Sequence, residues 1–152
     1  MAKKTPKKYE LTSDTATHFG TILHRIRALR DFGDVEKGDL GGFVESEANL
    51  SNEGNCWVYG NARVSGNACV YGNACVYGNA CVYGNAEIYG NAWVSGDARV
   101  SGNARVYGNA WVSGNAWVSG RAEINGTQEI NTGNHDTKAI PETPKNEGAI
   151  EL

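Results

Sequence analysis

The chain is poor in the groups that do chemistry. Its 152 residues include 3 His, 3 Pro and one Met, and no His lies between Asp31 and Asn134. An enzyme that needs an imidazole as general base finds none along that stretch. No apolar run approaches the ~20 residues that span a bilayer, and no apolar core of signal-peptide type follows the first residues. A formal net charge of −3 lacks the basic excess of a nucleic-acid binder. These absences predict a soluble, cytoplasmic protein with neither a membrane nor nucleic acid as partner.

What fills the chain instead is a repeat. From Val58 to Ile130 an aliphatic residue returns every sixth position, and an Ala follows four places later from Ala62 to Ala122. A fixed short period means one structural unit stacked on itself. Within Ala74-Cys75-Val76-Tyr77 the period is two, with Ala and Val inward and the other two outward. Gly78-Asn79 then bends the chain, since both residues reach positive φ cheaply. A helix is excluded, because a Gly in every sixth place would cost about 1 kcal/mol each time. The expected fold is all-β: a solenoid of short parallel strands over residues 44–131. A capping β segment over 9–43, a disordered basic arm over 1–8 and a polar tail over 132–152 complete it.

The spacing resembles the hexapeptide repeat of left-handed parallel β-helices, whose coils take three hexads. That resemblance implies a three-sided, left-handed β-helix of about four to five coils, roughly 20 Å tall for four rungs. Eighteen residues per coil sort the outward side chains into three columns. Trp57, Tyr59, Cys75, Tyr77, Trp93 and Trp111 share the first. Arg63, Cys81, Tyr83, Arg99 and Trp117 share the second, and Cys69, Tyr71, Glu87, Tyr89, Arg105, Tyr107 and Glu123 the third. Cys69, Cys75 and Cys81 therefore point from three different faces and can share neither a disulfide nor a metal, so no metal site is expected. Cys56 stands where Ala usually is and should point inward, while the other three are read as surface thiols in a reducing compartment.

An aromatic sheet face of this kind is too apolar to leave wet. We expect Trp57, Trp93, Trp111 and Trp117 to serve an oligomer interface. Such β-helices often form trimers, so a homotrimer is the implied assembly. The head reads as two strands, Tyr9–Thr12 and Ile22–Leu29, and Gly38 to Gly42 as a tight entry into the first coil. Arg25, Arg27 and Arg30 could form an anion site for phosphate or carboxylate if they share a face, or could be spent on nearby Asp residues. With Trp57, Tyr59, Tyr77 and Trp93 they are the expected ligand-binding residues.

The segments Arg27 to Phe32, Gly38 to Gly42 and Gly54 to Val58 are similar in wording to a group of hexapeptide-repeat proteins. These come from phages, prophages and enterobacteria and are often labelled acyltransferases; the similarity covers roughly residues 9 to 130. Three functional readings follow. One is a non-catalytic oligomer that captures a small anionic ligand, such as a nucleotide signal of host defence, at Arg/aromatic clefts between protomers. That reading needs no cofactor and no catalytic residue. A second is a CoA-dependent acyltransferase, and a third a structural assembly protein.

Overall fold

The computed structural model describes residues 7–18, 20–126, 129–130 and the backbone of 134–135. From Trp57 onward the chain is a parallel β-solenoid of two-residue strands, each hydrogen-bonded to the strand three repeats away. Three sheets result, and they are the three columns. The first face stacks Trp57–Val58, Cys75–Val76, Trp93–Val94, Trp111–Val112 and Glu129–Ile130, which makes about five turns. Its core is thin. Ala62 through Ala122 and Val58 through Ile124 line it at essentially zero exposure, with Cys56 in an Ala place.

The corners explain the glycines. Gly78 sits at φ +70, and a Cβ there would come within 2.9 Å of the Gly96 nitrogen one coil on. Glycine is thus required twice, for its left-handed backbone and for the close stacking of coils. Asn79 N–H donates to the Gly96 carbonyl at 2.8 Å, so each corner carries a rung of the backbone ladder. Asn side chains repeat the bond outside: Asn73 to Asn91 at 3.4 Å and Asn91 to Asn109 at 3.3 Å.

The head is a three-stranded addition to the second face. Strands β1 (Tyr9–His18) and β2 (Thr21–Ala28) form an antiparallel hairpin, and β3 (Leu40–Val44) pairs with β2 on one side and with Arg63–Val64 on the other. The first strand runs well past the expected Thr12. The polar residues Ser13-Asp14-Thr15 that follow belong to it, with a register shift between Leu11 and Thr15. Gly41 and Gly42, expected in a tight entry to the first coil, lie inside β3. A Cβ on Gly41 would sit 2.5 Å from the Val58 carbonyl, and one on Gly42 equally close to that of Ala62. Their small size lets the strand lie across the end of the coil.

Capping is done by Tyr9, Phe32, Lys8 and Trp57. Phe32 and Tyr9 meet the Trp57 ring edge-on at centroid distances of 5.1 and 6.1 Å, and Trp57 is buried. Lys8, expected in a loose arm, is also fully buried. Its ammonium donates to the carbonyls of Cys56 at 2.8 Å and Gly54 at 3.3 Å and lies over the Phe32 ring. It satisfies carbonyls at the open end of the first coil, where backbone acceptors would otherwise be orphaned. Burial pushes its pKa down. Lys7 pairs with Glu47, while the rest of the expected arm lies outside the described residues. So does most of the expected tail, although the backbone of Asn134–His135 pairs with Trp117–Val118. No helix of the described residues is long and apolar enough to cross a membrane.

Candidate functional site

The three head arginines do not converge. Arg25 stacks on Phe43 and donates to Asp14 at 2.9 Å and to the Gly41 carbonyl at 2.8 Å. Arg27 is paired with Glu10, and Arg30 donates to the Asn52 carbonyl at 3.0 Å. Each guanidinium is spent on a local acceptor, so the anion site expected of the trio is not assembled. A β-strand puts Arg25 and Arg27 on one face, but its hairpin partner supplies a carboxylate for each.

The aromatic candidates divide as well. Trp57 is covered by the head and cannot serve an exposed interface or a ligand within this protomer. Trp117 projects from the second face, apart from Trp93 and Trp111 on the first. Tyr59, Tyr77 and Trp93 do converge. With Asp34 and Cys75 they line a groove of about 290 Å³ on the first face, and no arginine borders it. Burial pushes the Tyr59 phenol up to about 12.

Arginine and an aromatic ring meet on the second face, at residues the column sorting grouped but did not single out. Arg63, Cys81, Arg99 and Trp117 lie in register on successive rungs. The Arg99 guanidinium stacks over the Trp117 ring at 5.7 Å. Among the described residues neither Arg63 nor Arg99 forms an ion pair, and Arg63 Nε is buried without a hydrogen-bond partner. The tip of the hairpin brings His18 over this row, with Nε2 3.6 Å from Cys81 Sγ and its ring edge-on to Tyr83. Only the docking of the head places His18 there, so no local sequence signal could have found it. Cys81 is buried under this cover, which corrects its reading as a surface thiol.

A thiol beside an imidazole invites comparison with nucleophile–base pairs. The electrostatics do not favour one. Burial holds the Cys81 thiol up, against the pull of Arg63 and Arg99, and burial with the same two cations holds the His18 pKa down. Both shifts oppose a thiolate–imidazolium pair. The other described head imidazole, His24, faces the Thr12 carbonyl at 3.1 Å. The arrangement as it stands offers two cations and an indole to an anion with a flat apolar part.

Fold and repeat define the class, a repeat β-helix protein. Within that class, the YdcK β-solenoid repeat matches residues 58–72, 86–102, 98–114 and 104–120. Over 61 residues, 35% of this chain, the sequence is 36% identical to a protein of Escherichia coli strain K12 named uncharacterized acetyltransferase YdcK. The match spans 19% of that curated relative, about a fifth of its length. The likeness therefore covers a part of each protein and the whole of neither.

Proposed function

We propose that the protein is a non-catalytic, oligomeric binding protein that captures a small anionic ligand on its second face. Arg63 and Arg99 would hold the anion, Trp117 would stack its planar part, and the His18 hairpin tip would lie over it. The observation that supports this most is the pair of arginines without carboxylate partners, two rungs apart on a rigid sheet and next to an exposed indole. Strand-borne side chains keep such spacing with little ordering cost. Trp111, exposed on the first face, is where a second copy would pack in the oligomer. Titration calorimetry with AMP and with inorganic phosphate tests the site. AMP should bind, more tightly than phosphate. Replacing Arg63 and Arg99 together by Ala should weaken it at least about tenfold, as expected for lost charge-assisted hydrogen bonds. Unchanged affinity would remove the site.

Acyl transfer is the second reading, favoured by the name of the relative and by the 3.6 Å approach of His18 to Cys81. Consumption of acetyl-CoA that is lost on Cys81→Ser would favour it over capture.

A further inference from the structure

The groove on the first face has a chemistry opposite to that of the second. It is lined by Tyr59, Tyr77, Trp93 and Cys75, and its single charged lining residue is Asp34. Tyr77 stands 83° to Tyr59 and 78° to Trp93, with centroids 6.2 and 6.0 Å apart. Rings set at right angles meet edge to face and do not close into a stacked column, and surface of all three lines the groove. Trp93 is 44% exposed, so a wall of the groove is open to solvent. Asp34 is exposed at the rim and joins no ion pair among the described residues. It is near enough to act electrostatically on both Tyr59 and Cys75. Lys8, which also acts electrostatically on Cys75, is buried and held by the carbonyls of Gly54 and Cys56.

From this geometry we infer that the groove is an aromatic cage for an organic cation, a quaternary or methylated ammonium group, with Asp34 as its counter-charge. Several rings around one such group is the arrangement that recognises choline-like and methylated-lysine ligands, because a diffuse cation gains from every π face and loses little hydration. Charge decides the occupant. A carboxylate at the rim and negative ring faces repel an anion, while a neutral guest gains from neither charge. The site stands apart from the anion-binding reading of the second face. Neither Arg63 nor Arg99 lines it.

The experiment titrates the full chain, in its native assembly, with choline and with 3,3-dimethyl-1-butanol, its uncharged isostere. Tryptophan fluorescence and calorimetry both read it. Choline should bind saturably and the alcohol about tenfold more weakly or worse. Trp93→Leu should weaken choline about tenfold and Asp34→Asn several-fold, while Arg63→Ala leaves it unchanged. Both groove substitutions are at the surface, and circular dichroism would confirm that the variants fold. Equal binding of alcohol and choline would overturn the proposal by showing a merely apolar pocket. Failure of both probes to bind would overturn it too, leaving the face to a second copy of the chain.

Discussion

The first face of the solenoid carries five rings and the third carries three, and the two faces treat them in opposite ways. On the third face Tyr71, Tyr89 and Tyr107 form one unbroken column. They stack in parallel, 4.9 Å apart at interplanar angles of 4° and 2°. Their hydroxyls are drawn to the next strand, Tyr71 to Glu87 at 3.3 Å and Tyr107 to Glu123 at 3.4 Å, and Asn125 donates to Tyr107 at 2.9 Å. Every π face but the terminal ones is closed. On the first face the columns are broken. Cys75 interrupts the tryptophans and Ser95 ends the tyrosines, Tyr77 meets Trp93 diagonally, and the rings cross edge to face even between the column neighbours Tyr59–Tyr77 and Trp93–Trp111. Parallel rings zip into a stabilising ladder, whereas the crossed rings of the first face line an open groove.

The comparison breaks most severely at the head end. Trp57→Ala removes the ring on which Tyr9 and Phe32 close, and should cost about 3–5 kcal/mol in urea unfolding. A loss under 1 kcal/mol would mean that the head does not cap the first face. Next in size is the third face itself. Tyr89→Ala deletes both stacked pairs and should cost about 1–3 kcal/mol, while Trp111→Ala, exposed at one end of a crossed array, should cost less than about 1. Equal costs would erase the distinction between a closed and an open face.

The smallest effect is a pH dependence. Burial holds the thiols of Cys56, Cys75 and Cys81 and the phenols of Tyr9 and Tyr59 above their ordinary values of 9.0 and 10.0. As pH rises through those values the unfolded chain releases protons that the folded chain keeps. It then binds fewer protons, and stability falls with pH. Lys8, held below its ordinary 10.5, acts in the opposite sense but is a single group. The urea midpoint should therefore fall from about pH 8 to about pH 10.5. A midpoint that rose would show that Lys8 dominates.

Much of the fold was legible because the repeat makes non-local geometry local. Once six residues make a side and three sides a coil, residue 75 must lie over residue 57, and the sheets follow from arithmetic. The inward place of Cys56 and the separate faces of Cys69, Cys75 and Cys81 were read the same way. The head has no such rule. Whether Arg25 faces a ligand or Asp14 depends on the hairpin partner, and whether Trp57 is wet depends on what docks over it. Gly41 and Gly42 were read as a tight entry but not as strand residues, because glycine serves both turns and close approach, and only the neighbouring Val58 and Ala62 carbonyls tell which. Lys8 looked like one of a solvated basic run, since its acceptors lie more than forty residues away. The candidate sites suffered accordingly. Tyr59, Tyr77 and Trp93 came together because they obey the repeat, while His18 over Cys81 could not be foreseen.

The central claim is that the protein is built to hold a molecule rather than to transform one. Native mass spectrometry of the protein purified from cells, before and after denaturing extraction, tests it most directly. The account predicts an oligomer carrying a small molecule in fixed ratio to chain, released intact on denaturation. An unliganded protein that shows no bound mass and turns over acetyl-CoA would contradict it.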